Sequence, residues 1–366
     1  MKVILVDIVP HWTKEEEYED RMIELENLVS TYGSLVVLKR LQKRNTPDYH
    51  TFVGSGKLEE VMHIWDEIGA DLVIIWNILK PAQIYHINDI FEKSKSKLKA
   101  WDRVDLILKI FEMNANSPEA RLQIELAAIK HMWPRIFWMW LELSRQGWGW
   151  SWAMRWLWET NTEIMKRHLR ENEKKILEKL DVYAKTRAQH RQSRKRKELK
   201  TIWIVGYTNA WKSSLMNALT HKWVLAENKL FATLWTSVGK MYIETPDYKG
   251  KEVLLNDTIW FIRDLPPSLI KAFSSTLEDS IESDVLLHVI DSTDRKVAEK
   301  IKVVEDTLSK IWASQPRIYV FNKIDMIDDK KIKSLKKEFK HLNPIFISAF
   351  NKIWFEELKN NILKYI

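Results

Sequence analysis

The run Gly206-Tyr-Thr-Asn-Ala-Trp211-Lys212-Ser213 combines a glycine, a lysine and a hydroxyl at the spacing of a phosphate-cradling loop, Gly-x-x-x-x-Gly-Lys-Ser/Thr. Such a loop works only between a strand and a helix. Thr201-Ile-Trp-Ile-Val205 reads as the buried strand, and Ser214 to Thr220 as the helix. In that setting the backbone amides of Tyr207, Thr208, Asn209, Ala210, Trp211, Lys212 and Ser213 would wrap the phosphates. Lys212 would reach the β- and γ-phosphates, and the Ser213 hydroxyl would ligate Mg²⁺. One glycine of the pattern is missing, because Trp211 stands in its place.

Further groups follow in the order a guanine-nucleotide pocket requires. Asp257-Thr258-Ile259-Trp260 comes after a strand, where GTPases carry Asp-x-x-Gly, and Asp257 would hold Mg²⁺ through water. Asn322-Lys323-Ile-Asp325 ends another strand. The Asp325 carboxylate can accept two hydrogen bonds from the N1 and N2 donors of guanine, a pair adenine does not offer. Asn322 would brace the loop, and the Lys323 stem would pack along the base. Ser348-Ala349-Phe350 closes the last strand and suits a contact with the guanine carbonyl. Together these predict binding of GTP and GDP, with GTP hydrolysed to GDP. No general base declares itself. Where GTPases of the Ras type place a water-orienting Gln, this chain has Phe261, so intrinsic hydrolysis is expected to be slow.

The elements that must position these groups follow from periodicity. Residues 3–8, 35–40 and 71–76 are short apolar runs separated by charged helical stretches, which predicts a small parallel α/β domain over 1–100. Within it, Gly54-Ser-Gly56-Lys57 precedes a helix and reads either as a tight turn or as an anion site. Leu106, Ile110, Leu122, Leu126 and Ile129 predict helix from Asp102 to Trp140. Leu169, Ile176, Leu180 and Tyr183 predict a second helix from about Glu159 to Lys200, giving a helical hairpin or short coiled coil over 101–195. Strand candidates at 252–256, 285–290, 317–321 and 344–347 predict a doubly wound GTP-binding domain over 196–366.

Composition limits the alternatives. The chain has no cysteine, which excludes disulfides, thiolate metal sites and thiol nucleophiles. It opens directly on a strand-like run and has no long uncharged stretch, so neither a leader nor a spanning helix is expected, and a cytoplasmic setting fits. Residues 166–200 hold 14 Lys/Arg against 5 Asp/Glu, while the whole chain of 366 residues carries +8. That concentration suits a polyanionic partner, although a solvated helix face would look the same. The Trp-rich segment 148–152 could also be read as a membrane-interface element, but it lacks a clean amphipathic period.

With these residues in view, the chain resembles the HflX-type GTPases, a branch near the Obg family. Phe231-Ala232-Thr233-Leu234-Trp235 resembles the first switch of that family. Asp102-Arg103-Val-Asp-Leu-Ile-Leu-Lys-Ile-Phe111, Glu119-Ala-Arg-Leu-Gln123-Ile-Glu125, Ser144-Arg145-Gln146-Gly147, Glu159-Thr160 with Glu163, and Gly54 to Glu60 resemble its upstream region. The likeness covers nearly the whole chain. It implies that Thr233 coordinates Mg²⁺ and, with Lys212, supports the transition state. It also implies association with the ribosome, mainly the large subunit and its RNA, through the N-terminal domain and the basic helix, with ribosome splitting or rescue under stress. A monomer without a membrane partner is expected.

The departures from the family pattern are all of one kind. The chain has 19 Trp and 9 Gly. Trp211, Trp260 and Trp354 stand where glycine is expected, and Trp148, Trp150, Trp152, Trp156 and Trp158 crowd a segment that is glycine-rich in the family. The surrounding motifs are intact. Either the sequence carries a systematic alteration at these positions, or the chain is a variant whose pocket is blocked by Trp211 and Trp260 and which serves as an RNA- or ribosome-binding module.

Overall fold

The structure, a computed structural model, describes residues 1–115, 117–131, 152–196, 199–220, 238–244, 250–257, 269 and 283–366. The chain divides into two compact units, one of residues 1–113 and 121–180 and the other of 114–120 and 181–366.

The first unit is built on β1 (Lys2–Val9), β2 (Leu35–Lys43), β3 (Leu72–Ile75) and β4 (Lys99–Asp102). They form a four-stranded sheet in the order β2-β1-β3-β4, and every pairing is parallel. Parallel neighbours need crossovers, which α1 (Glu15–Thr31), α2 (Ser55–Ile68) and α3 (Pro81–Lys93) supply. β1 and β3 are buried almost throughout, as strands covered on both faces must be. Ile4, Val6, Ile8, Val73 and Ile75 pack with Leu58, Val61, Ile84, Ile87 and Phe91 in one cluster.

Position 7 breaks the apolar run of β1. Asp7 is fully buried, and neither of its carboxylate oxygens has a hydrogen-bond partner. Burial raises its pKa from 3.8 to about 6, against the pull of the Arg21 charge.

β4 went unrecognised in the apolar pattern because it is only Lys99-Ala-Trp-Asp102. Asp102 ends this strand and caps the next helix, accepting from the Asp105 amide at 2.9 Å while Asp105 accepts from the Asp102 amide at 3.0 Å. The helix expected to run unbroken from Asp102 is two helices, α4 (Arg103–Asn114) and α5 (118–131). Pro118 lacks the amide that helix continuation would need, and the Ser117 hydroxyl accepts from the Ala120 amide as the new cap. The remainder of that expected helix, 132–140, lies outside the described residues. α6 spans Trp152–Arg196, starting earlier and ending sooner than the periodicity suggested. Its inward stripe is Leu169, Ile176, Leu180 and Tyr183, at steps of three, four and seven residues.

The second sheet has the order β10-β9-β8-β5-β7-β6, from β5 (Lys200–Val205), β6 (Val238–Ile243), β7 (Lys251–Asp257), β8 (Val285–Asp291), β9 (Arg317–Asn322) and β10 (Ile345–Phe346). All pairings are parallel except β6 with β7. β6 had no long apolar run to announce it. Its signal is strict alternation, with Gly239, Met241 and Ile243 inward, as befits an edge strand. The helices α7 (Lys212–Thr220), α8 (Val297–Lys310), α9 (Asp329–Glu338) and α10 (Phe355–Leu363) complete the layers.

Candidate nucleotide site

In a parallel sheet with helices on both faces, ligands sit beyond the carboxyl ends of the strands. The described sequence-predicted groups are all at that edge. The loop 206–211 follows β5, Asp257 ends β7, Asn322 ends β9 and Ser348 follows β10. Phe231, Ala232, Thr233, Leu234, Trp235, Thr258, Ile259 and Trp260 lie outside the described residues.

The loop begins at a glycine for a steric reason. A Cβ at Gly206 would meet the Val289 carbonyl oxygen of β8 at 2.2 Å. From there Asn209 and Trp211 both take left-handed backbone conformations, with φ of 65° and 59°. The chain then enters α7, whose first bond runs from the Leu215 amide to the Trp211 carbonyl at 3.0 Å. Lys212, at the start of α7, is buried, and its Nζ donates to the carbonyls of Gly206 at 2.9 Å and Tyr207 at 3.0 Å. Burial lowers its pKa to about 8, while the charge on Asp257 pulls the other way.

Ser213 and Ser214 follow on the first turn of α7. The Ser213 hydroxyl donates to Asp257 Oδ2 at 2.7 Å. A hydroxyl and a carboxylate are thereby brought together beside the phosphate loop. Both are hard oxygen donors, and the pair fits the demands of Mg²⁺.

Asn322 joins two loops. Its Nδ2 donates to the Ala210 carbonyl of the phosphate loop at 3.1 Å, and its Oδ1 accepts from the Ala349 amide at 2.9 Å. The side chain is fully buried, so both bonds are shielded from water. Lys323 turns through a left-handed conformation, φ 65°, and donates to Asp291 Oδ2 at 2.6 Å. Asp325 lies in a single 3₁₀ turn, Ile324–Met326, with its side chain exposed. Ser348 is buried and its Oγ accepts from the Asn351 amide at 3.1 Å, which shapes the loop carrying Ala349 and the exposed Phe350.

Trp211 reaches across this arrangement. Its ring lies beneath the Lys323 ammonium, 4.9 Å from nitrogen to ring centroid, and against Phe350, with centroids 6.2 Å apart. The indole thus occupies the side of the pocket framed by the two loops expected to read the base.

The sequence reading missed Asp291, which holds Lys323. An acid terminating the apolar run Val285-Leu-Leu-His-Val-Ile was the available signal, since a charge at the end of a buried strand needs a partner. It also missed His288, buried in β8, whose Nδ1 lies 3.1 Å from Glu305 on α8. Glu305 further accepts from Arg317 at 2.5 Å and Tyr319 at 3.2 Å. Burial lowers the His288 pKa, against the pull of Glu305.

A strand-loop-helix with buried lysine, a Ser/Asp pair beside it and an Asn-Lys-x-Asp loop at the same sheet edge define a P-loop guanine-nucleotide-binding domain. Comparison with known proteins agrees along the whole length. Residues 19–112 match the model of the GTP-binding GTPase N-terminal region, 114–194 that of the GTP-binding GTPase middle region, and 201–323 that of the 50S ribosome-binding GTPase. The chain is 40% identical to the GTPase HflX of Caldanaerobacter subterraneus subsp. tengcongensis, over 98% of this chain and 78% of that protein. It is 37% identical to the GTPase HflX of Escherichia coli, over 95% and 79%, and 34% to that of Methanocaldococcus jannaschii, over 96% and 85%. Among solved structures it is similar to the SsGBP–GDP complex, with 27% identity, a TM-score of 0.55 and coverage of 100% of this chain and 98% of that one. A GTP-binding protein of Sulfolobus solfataricus in complex with GDP gives 26%, 0.51 and the same coverage. The chain belongs to the HflX family of GTPases, enzymes that hydrolyse GTP to GDP. No helix among the described residues is long and apolar enough to cross a membrane.

Proposed function

We propose that this GTPase works on the ribosome, engaging the large subunit and its RNA and acting there in splitting or rescue under stress. The observation that carries this reading is the charge of the segment 166–200, 14 Lys/Arg against 5 Asp/Glu, most of it on α6. Arg170, Lys175 and Lys179 are exposed on that helix, while its apolar stripe faces inward. A polyanion with closely spaced phosphates suits such a surface. The match of residues 201–323 to a 50S ribosome-binding model is consistent with it.

In this reading the amides of 207–213 cradle the phosphates, and Lys212 exchanges its carbonyl partners for the β- and γ-phosphates. Ser213 and Thr233 would hold Mg²⁺, with Asp257 contributing through water, and the ion would supply charge neutralisation to the phosphates. Asp325 reads guanine, Lys323 lies along the base, and Ser348 to Phe350 close over its carbonyl. The N-terminal domain 1–100, the helical region 101–195 and the GTP-binding domain 196–366 then act as three parts. The setting is the cytoplasm and the working form a monomer. Phe261 cannot orient the attacking water, so hydrolysis is slow until a ribosomal particle completes the site.

Single-turnover GTP hydrolysis by the full chain, purified from its own cells, tests this. Adding large subunits or whole ribosomes should raise the rate at least about tenfold, a barrier change of roughly 1.4 kcal/mol. No stimulation by any ribosomal particle would overturn the proposal while leaving the GTPase assignment in place.

A further inference from the structure

Three described tryptophans have backbone conformations that side chains disfavour. Trp211, Trp312 and Trp354 have φ of 59°, 61° and 63°, in the left-handed region where a Cβ crowds the following carbonyl and where glycine is the usual residue. Phe52, Lys95, Asn209, Lys323, Asn343 and Lys352 share that backbone region, so what distinguishes Trp211 and Trp312 is their position, one at the second glycine of a phosphate loop and the other at the closure of a helix C-terminus.

Trp312 follows the end of α8. Its amide donates to the Ser309 carbonyl at 3.1 Å and the next amide, of Ala313, to Leu308 at 3.0 Å. This is the left-handed closure of a helix C-terminus, in which glycine predominates. The same chain closes α1 identically with a true glycine, where the Gly33 amide meets Ser30 and the Ser34 amide meets Val29, both at 3.0 Å, and closes α3 with Lys95, whose long side chain reaches solvent. The Trp312 side chain is 86% exposed, so its indole compensates for the conformation with almost no burial. Trp354, also largely exposed, turns the chain into α10 at the same φ. Trp211 stands at the second glycine of the phosphate loop and lays its ring under Lys323.

Other tryptophans behave differently. Trp65 donates from Nε1 to the Ala70 carbonyl at 2.7 Å, Trp203 is buried within β5, and Trp101 meets Tyr32 edge-on with centroids 5.7 Å apart. None of these has a positive φ.

We propose that glycine stands at positions 211, 312 and 354 of this protein as its own cell makes it, because one codon read elsewhere as tryptophan is decoded there as glycine. A reassigned UGA codon would produce this division. UGA differs from a glycine codon by its first base, and a second codon, UGG, remains to encode the indoles that pack. A single residue type at unconnected positions, one of them inside an otherwise intact phosphate-loop motif, is what decoding would produce. Glycine at 211 restores the complete Gly-x-x-x-x-Gly-Lys-Ser loop and clears the side of the pocket that the indole fills.

Two measurements test the inference. Peptide mass mapping of the protein isolated from its own cells should find glycine at 211, 312 and 354 and tryptophan at 65 and 203. Tryptophan at the first three positions overturns the proposal, whatever the protein's action on ribosomes. Independently, the chain expressed with tryptophan throughout is compared with its Trp211→Gly, Trp312→Gly, Trp354→Gly variant. The variant should melt higher and bind GDP at least about tenfold more tightly, a difference of roughly 1.4 kcal/mol. Equal affinity and equal melting temperature would remove the physical ground for the inference.

Discussion

At the scale of the residue, two carboxylates in unlike surroundings have separate consequences, one for binding and one for stability. Asp325, proposed to read guanine, is exposed in a single 3₁₀ turn. Asp325→Ala should weaken GDP binding by about 1.5–3 kcal/mol, the worth of hydrogen bonds to a charged acceptor, and reduce the preference for guanine over adenine nucleotides in competition assays. Asp7 lies in the other unit, and its carboxyl is pushed up to about 6 by burial. Because its folded pKa lies above the unfolded value, unfolding favours release of the proton. Stability therefore falls as pH rises from about 4 to about 6 and levels off above that, by on the order of 2–3 kcal/mol. Asp7→Asn removes the ionisation. Urea denaturation should show the variant gaining on the parent between pH 4 and pH 7, and a difference constant with pH would contradict the assignment. The motif Asn322-Lys323-Ile-Asp325 could be picked out in the sequence because it is short and ordered. Asp7 could not, because an acid inside a strand pattern looks like ordinary outward alternation until both faces are covered.

At the scale of the element, helices and strands are joined by a few buried polar contacts. Arg103, the first residue of α4, is 2% exposed, pairs with Glu24 of α1 and stacks 4.0 Å from the centroid of Trp76. Removing one partner of a buried pair leaves the other uncompensated, so Glu24→Ala should cost about 3–5 kcal/mol, read as a lower melting temperature. A paired substitution that also neutralises Arg103 should recover part of that loss. Most elements could be read from the sequence because periodicity reports burial directly. β5 and β8 are apolar runs and α6 carries a stripe. The failures share a cause. β4 and β6 are short or alternating edge elements, and the break between α4 and α5 depends on Ser117 and Pro118 overriding an apolar period that continues across them.

At the scale of the whole molecule, charge is the dominant asymmetry. The segment 166–200 carries an excess of nine positive charges, counted as 14 against 5, and the chain as a whole carries +8. If that surface binds RNA as proposed, affinity should weaken linearly with log salt, each phosphate contact contributing about 0.7–0.9 to the slope. Replacing Arg170, Lys175 and Lys179 with Glu should flatten the slope and lower ribosome affinity in cosedimentation, with GDP binding by the separate pocket unchanged. Of the whole-molecule organisation, the parallel sheet of the first unit and the mainly parallel sheet of the second were legible from alternating strand and helix patterns. The division of α6 between two compact units was not, since a continuous apolar stripe carries no mark of such a boundary.

Asn322 bonds at once to a carbonyl of the phosphate loop and an amide of the loop after β10, which is proposed to close over the base. A side chain shared in this way makes the two halves of the ligand communicate. By thermodynamic reciprocity, the factor by which pyrophosphate improves guanosine binding must equal the factor by which guanosine improves pyrophosphate binding. Calorimetry in both orders should return one cooperativity constant above unity. In Asn322→Ala that constant should fall toward one, because the phosphate and base subsites would then be occupied as independent sites.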